Sequence, residues 1–493
     1  MTHTSGLRSG SRAALAVLLG LLAVPALAAG QGVAAQTVRT AHASPAVLHV
    51  GRIDRQDVAP RGNCERDTLA EPHVAISPVN PRIQVAVAHD CRFSSGGAVD
   101  ISYAWTHDGG AHWHHAPVPG LTRAVGGAWP RASDPVVAFG PDGSVYISAL
   151  VFNLGCSTGV MVSRSFNGGA RFTRPVLVHK STACGYSDDK NWLVVDTHRN
   201  SPFYGRLYQF WTVFLSTKKG SPIGVPQVVR WSDDRGAHWS RTHLVTPRQE
   251  NTQDSQPMIQ PNGTIVDTYY SFGSGSDPGS TPATISDHVH VDAAAASDAT
   301  PFVARTSRNG GATWSAESVI TPNLGFGPPD VRCCLPAAAA DPVRGTLYAV
   351  WDGNGPGEPI TLASSRDGRH WSRVLVTPEH RRNIQHVNAA VAAYNGKVFV
   401  SYGTRNTAVG DGDLVQQKVS SSYNGGVSFG AGLALGPLSD LRYAAVAPVA
   451  FPGDYIGASE TSSRLTLVWC VSSRPANPAH RYHQVLYAAV LRP

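Results

Sequence analysis

Six carboxylic acids recur at comparable places in this 493-residue chain. They are Glu71 in EPHVAISP, Asp134 in SDPVVAFGPDGSVYIS, Asp189 in DDKNWLVVD, Asp254 in QDSQPMIQPNGTIVD, Asp330 in PDVRCCLPAAAADPVRGTLYAVW and Asp454 in GDYIGASETSSRLTLVW. A seventh segment of the same form, IQHVNAAVAAYNGKVFVSY, carries His386 instead. Carboxyls brought close together raise one another's pKa, the condition under which one of them holds a proton for acid–base work. Asp134 and Asp254 are the candidates for that work. Asp189, Asp330 and Asp454, with Arg131, Arg332, Arg381 and Arg382, are the candidates for holding a ligand, since guanidinium groups clamp anions bidentately. The plainer reading is that each acid caps the start of a strand and helps turn the chain.

The elements that would position these residues are strands. Each opening is a polar start, a short apolar strand, a turn and a second strand, and further alternating runs such as DISYAW, GVMVSRS, PQVVRWS and ITLASS show the period of two of a half-buried strand. Those runs lead into a recurrent box: THDGGAHW, SFNGGARF, SDDRGAHW, SRNGGATW, the shorter SRDGRHW, and SYNGGVSF. The Asp or Asn oxygen accepts from turn N–H groups, glycine takes positive φ, and the aromatic is expected to fold back over its own hairpin. Folding explains every residue type in the box, so its acids, Asp108 and Asp234 among them, are poor catalytic candidates. The intervals suit one four-stranded unit per opening. Seven openings against six boxes point to a boxless last unit built on RLTLVWCVS and HQVLYAAVL and closed by an N-terminal strand such as AVLHVGRI.

The S-x-D-x-G-x-x-W spacing, iterated in this way from about residue 70 to the end, resembles the Asp-box (BNR) repeat of the sialidase superfamily. The resemblance implies an all-β fold, a β-propeller of six or seven four-stranded blades, with seven preferred on the count of openings and Asp-box turns in six of them. The openings would be the innermost strands, with their acids around one mouth of the central channel. For activity it implies a secreted exo-acting glycosidase that removes terminal acidic sugars. Arginines would hold the sugar carboxylate, an acid would protonate the leaving oxygen, and a tyrosine activated by a glutamate would be the nucleophile. On that reading Tyr455, in FPGDYIG, is the nucleophile, and Arg332 with Arg381 or Arg382 supplies part of the clamp. The family's (F/Y)-R-I-P motif is not matched: the first opening reads AEPHVAIS, and GRID at Gly51 to Asp54 lies upstream without the proline. Two alternatives stay open, a noncatalytic propeller binding a glycan or protein at the same mouth, and another Asp-box glycosidase working through a carboxylate pair.

The N-terminus reads as a secretory signal peptide over residues 1–28: Arg8 and Arg12 precede an apolar run, and Ala26-Leu27-Ala28 offers a cleavage site. Residues 29–69 would form an N-terminal arm and 70–493 a single domain, with no stable membrane anchor after cleavage and an extracytoplasmic location. Losing those two arginines lowers the formal charge from +7 to +5, and the remaining basic residues are scattered, which disfavours nucleic-acid binding. Export permits disulfides. Among seven cysteines, Cys64 with Cys91, Cys156 with Cys184 and the adjacent Cys333 and Cys334 are the expected pairs, and the odd count leaves one over. No metal or cofactor is expected: His288 and His290 in HVHV lack a third ligand, and no loop has EF-hand spacing.

Overall fold

The computed structural model describes residues 44–54, 63–274, 300–324, 327–353, 355–377, 381–408 and 412–493. The proposed signal peptide, most of the Ser271–Pro301 insertion and the HVHV pair lie outside these residues. Among the described residues the secondary structure is strand throughout, apart from two short 3-10 turns at Arg123–Val125 and Leu441–Tyr443. No helix among them is long and apolar enough to cross a membrane.

The strand pairings form seven antiparallel four-stranded sheets, each a meander whose first strand comes from one of the seven openings. In chain order the first strands are Glu65–Ile76, Arg131–Phe139, Tyr186–Val195, Glu250–Ile259, Ala337–Ala340, Ile384–Tyr394 and Gly457–Glu460. Sheet three carries an extra edge strand, Pro222–Gly224, and single bridges, Ala98 to Ala132 and Thr68 to Gln484, join sheets one, two and seven at the ends of strands. Each first strand packs against the first strand of the next sheet, and that of sheet seven packs against that of sheet one. Sheet seven takes its fourth strand from the N-terminal side of the chain. Ala46–Arg52 pairs with Gln484–Arg492, so the two ends of the described chain are hydrogen-bonded into one sheet.

Apolar side chains from facing sheets fill the space between each neighbouring pair. Val85, Val87 and Ile101 of sheet one meet Val137, Val145 and Ile147 of sheet two, and equivalent clusters lie between two and three, three and four, four and five, five and six, six and seven, and seven and one. Burial of this kind contributes roughly 25 cal/mol per Å² of apolar surface.

The six boxes connect the third strand of a sheet to the fourth, and they share one hydrogen-bond pattern. The box Ser or Thr hydroxyl donates to the Asp or Asn oxygen at 2.7–3.1 Å. It accepts in turn from a box glycine N–H at 2.9–3.1 Å. The aromatic does not fold over its own hairpin as expected. Phe172, Trp239, Trp314, Trp371 and Phe429 each join the cluster shared with the preceding sheet, and Trp113 of sheet one joins the cluster shared with sheet seven. The inter-sheet cleft removes more of a large ring from water than an exposed hairpin face can.

Candidate functional site

Five of the seven first strands are broken in the same way near their starts. In sheets one, two, three, four and six the register with the second strand shifts, between Ala70 and His73, Ser133 and Val136, Asp189 and Trp192, Gln253 and Gln256, and Val387 and Ala390. These are β-bulges, which re-aim a side chain at the end of a ladder. The bulged residue has left-handed φ in each case: Glu71 at 53°, Asp134 at 50°, Lys190 at 44°, Asp254 at 66° and Asn388 at 53°. In sheets five and seven the matching residues just precede the strand, Cys334 at 85° and Gly453 at 126°. Non-glycine residues seldom adopt this conformation, and they concentrate where the structure needs a particular side chain or backbone direction.

The seven equivalent residues are therefore Glu71, Asp134, Lys190, Asp254, Cys334, Asn388 and Gly453, which corrects the ring of acids expected from sequence. Asp189 and Asp454 each stand one residue from the bulge position, His386 two residues from it and Asp330 four. The expectation aligned the acids, whereas the bulge aligns the backbone.

The side chains meet in one network. Asp134 donates its backbone N–H to His89 Nε2 at 3.0 Å and accepts from the Ser133 hydroxyl at 2.8 Å and from the Lys190 N–H at 3.0 Å. Lys190 Nζ lies 3.4 Å from Asp254 Oδ1 and 4.2 Å from the ring centroids of both Trp192 and Tyr455. Arg332 grips Asp454 with two bonds of 3.2 Å, Nε to Oδ1 and Nη2 to Oδ2. The Arg332 and Arg92 guanidiniums both face the ring of Phe451, at 5.0 and 4.3 Å. Glu71 Oε2 lies 3.1 Å from His89 Nε2, and the Asp454 charge acts on the Glu71 carboxyl.

Two observations put a proton on Glu71. The Asp134 N–H points at His89 Nε2, so that nitrogen presents a lone pair, and an ionised oxygen 3.1 Å from a lone pair would be repelled. Independently, burial raises the Glu71 pKa well above the carboxylate range, helped by the negative charges of Asp134 and Asp454. Asp454 behaves oppositely. Although burial acts to raise it, the Arg332 guanidinium holds it below its ordinary value. A neutral carboxylic acid thus sits beside an ionised one, and Asp454 is the more exposed of the two side chains, at 20% against 4%. Asp254 is pushed up to about 6 by burial against the opposing charge of Lys190. His73, which accepts from the Val137 N–H, is brought down to about 3 by burial and then by Lys190, and is neutral.

The remaining expected site residues fall elsewhere. Tyr455 is 2% exposed, and its hydroxyl donates to the Pro135 carbonyl at 3.1 Å. Burial raises its pKa far above the ordinary phenol value, with Glu71, Asp134 and neighbouring acids adding to the effect. That placement fits packing rather than attack. Arg131 donates to the Ser95 and Gly96 carbonyls and lies over Phe93, so it holds a loop. Asp189 accepts from Gln253 Nε2 at 2.8 Å. Asp330 pairs with Arg405. Arg381 and Arg382 are exposed on the turn that leads into sheet six. Arg131 answers loop carbonyls and Arg332 the Asp454 carboxylate, so these two guanidiniums are already engaged rather than presented as a clamp.

Sequence reasoning missed His89, Arg92 and His73. A signal existed for the first two: in QVAVAHDCR a fully buried strand turns polar at one end, where it pairs with the bulged part of the first strand.

Neither a protein-family model nor a curated protein sequence matches the chain. Solved structures similar to it include an alpha-L-arabinanase of Penicillium chrysogenum complexed with arabinobiose, 14% identical over 73% of this chain and 94% of that one, TM-score 0.47. A Hadza microbial sialidase is 13% identical over 90% of this chain and 94% of that one, TM-score 0.46. A protein of unknown function from Dyadobacter fermentans is 12% identical over 90% of this chain and 99% of that one, TM-score 0.46.

Proposed function

We propose that the seven sheets are the blades of a β-propeller and that its hub is the catalytic mouth of a secreted, exo-acting glycoside hydrolase of the sialidase-like kind. In this reading residues 1–28 are the export signal, the arm 29–69 supplies the ring-closing strand, and 70–493 form the single catalytic domain. The observation that carries the reading is the carboxyl pair with divided protonation, Glu71 neutral and Asp454 ionised on Arg332. Two carboxyls in opposite states are what hydrolysis of a glycosidic bond requires, one to protonate the leaving oxygen and one to meet the developing positive charge at the anomeric carbon. The scissile bond would enter between them. Glu71 then serves as general acid, Asp454 as nucleophile or base, and Arg332 positions Asp454. Terminal acidic sugars are the first substrate class to test, on the resemblance that the Asp-box spacing carries.

The test is turnover by the purified mature protein of fluorogenic sialosides and, as the neutral arm, α-L-arabinofuranosides. Glu71→Gln and Asp454→Asn should each lower kcat/KM by about 100-fold or more, while Tyr455→Phe should stay within about threefold because its hydroxyl only satisfies a carbonyl. Turnover lost in Tyr455→Phe but kept in Glu71→Gln would reverse the assignment. A second reading, a noncatalytic glycan-binding propeller, is favoured by the burial of Glu71. It predicts no turnover of any glycoside by the parent protein, with glycan retention on an array that Arg332→Ala abolishes.

A further inference from the structure

All three expected disulfides form, and they are not equivalent. Cys64–Cys91 and Cys156–Cys184 join residues 27 and 28 apart and act as staples on the unfolded chain. Cys333–Cys334 joins neighbours, closes no chain loop, and gains almost nothing from loop entropy. Stability therefore does not account for it, and its surroundings suggest another role. The two sulfurs and a carboxylate oxygen of Asp352 lie within 4.8 Å of one another. Asp352 is 1% exposed, and its Oδ2 has no hydrogen-bond partner among the described residues. Burial pushes its carboxyl up to about 8, so it carries a proton near neutrality. A buried carboxyl acid beside a disulfide is placed to protonate a departing thiolate.

The same few residues hold Asp454. The N–H groups of Cys334 and Leu335 donate to the Asp454 carbonyl at 3.2 and 2.9 Å, and the adjoining Arg332 grips its carboxylate. Asn388 shares the Cys334 N–H, accepting it at 2.8 Å, and donates its own N–H to Cys334 Sγ at 3.3 Å.

We propose that Cys333–Cys334 and Asp352 form a thiol–disulfide exchange centre, opened by small dithiol reductants, whose redox state sets the placement of Asp454. One thiolate of the reductant attacks Sγ of Cys333, the more exposed of the two residues at 9% against 2%. The S–S bond breaks, its electron pair goes to Cys334 Sγ, and that sulfur takes the Asp352 proton. The second thiol of the reductant returns a proton to Asp352 and closes on the reductant's first sulfur. Cys333 leaves as a thiolate and is protonated by water. The reductant ends as a disulfide and the two cysteines as thiols, so two electrons and two protons have moved. Only the consequence for catalysis rests on the hydrolase reading, and the chemistry is read without it.

The folded full chain is treated with dithiothreitol, quenched by alkylation at intervals, and each pair is followed by mass spectrometry. Cys156–Cys184, whose Cys184 is exposed, serves as internal reference. Asp352→Asn is expected to slow opening of Cys333–Cys334 by about ten-fold while leaving the reference rate unchanged. A merely structural Asp352 would give the reverse, because loosening the site speeds access to the sulfurs. An unchanged or faster rate in the variant, or opening that occurs only in denaturant, overturns the exchange centre. In the parent protein, reduction should speed hydrogen exchange at the Cys334 and Leu335 amides by about ten-fold, and unaltered protection overturns the link to Asp454. If the sialoside and arabinofuranoside assays fail while both of these readouts respond, the hydrolase reading falls and the redox centre stands.

Discussion

At the scale of single residues, the boxes and the candidate site use the same groups to opposite ends. In boxes with Asp, the second carboxylate oxygen accepts from a histidine, His112, His238 or His370, at 2.6–2.7 Å. In two boxes with Asn the side-chain amide donates to a hydroxyl instead, Asn309 to Thr313 and Asn424 to Ser428. Donor meets acceptor either way. Hydrogen bonds from His238 and Ser232 outweigh desolvation and hold Asp234 down at about 2. A depressed carboxylate adds stability above its unfolded pKa and loses it as pH falls toward 2, and exposure keeps that contribution small. Ser232→Ala strips one bond from Asp234 and one from the buried Gly236 N–H; a thermal melt should show a loss of about 1–2 kcal/mol with activity unaltered. Glu71 works in the other direction. In the proposed hydrolase its raised pKa would set the alkaline limb of the rate profile, activity falling as pH rises through it, and Asp454 would set the acid limb. Glu71→Gln should leave a residual rate without the alkaline limb, and a profile with that limb intact would remove Glu71 from the acid role.

At the scale of elements, the turn and the strand break divide the labour. The box fastens each sheet to the one before it. Gly169, with φ of 87°, lets the turn of sheet two approach so closely that an added Cβ would meet Val85 Cγ2 of sheet one at 2.4 Å. Gly169→Ala should cost about 1–3 kcal/mol by denaturant titration. The closing strand Ala46–Arg52 is the counterpart for sheet seven, covering the edge of Gln484–Arg492. Starting the chain at Ile53 leaves that edge unpaired, an open template for association. The truncated protein should melt at lower temperature and aggregate, as read by light scattering, while a full-length protein with Val50→Thr in the same strand stays monodisperse.

The whole molecule stores protonated acids. Burial pushes Asp188 up to about 7, Asp267 and Asp352 to about 8, and Glu460 to about 9. A carboxyl whose folded pKa exceeds its unfolded value binds its proton more tightly when folded. Its contribution is complete below the unfolded pKa and is lost as pH rises through the folded one. These four titrate upward together, so Tm should be highest in mild acid and fall by about 5 °C or more between pH 5 and pH 9. A flat or rising profile across that window would contradict the assignment of these acids as neutral.

Much of the architecture was legible in the residues alone. Alternation of two, glycine at positive φ and a Ser or Asp that satisfies turn amides are local requirements, so the openings, the six boxes, the three cysteine pairs and the strand at Ala46–Arg52 could be read before any coordinates. The candidate site was legible only in outline, since Glu71, Asp254, Lys190, Arg332 and Asp454 were marked while their relations were not. Which residue of each opening occupies the bulge depends on pairing with the next strand and packing against the neighbouring sheet, and that moved the equivalent position from Asp189 to Lys190 and from Asp330 to Cys334. Protonation was likewise decided in three dimensions. A carboxyl's pKa follows from its burial and from charges distant in the chain, and only the fold brings the Asp454 charge to Glu71 and buries Tyr455.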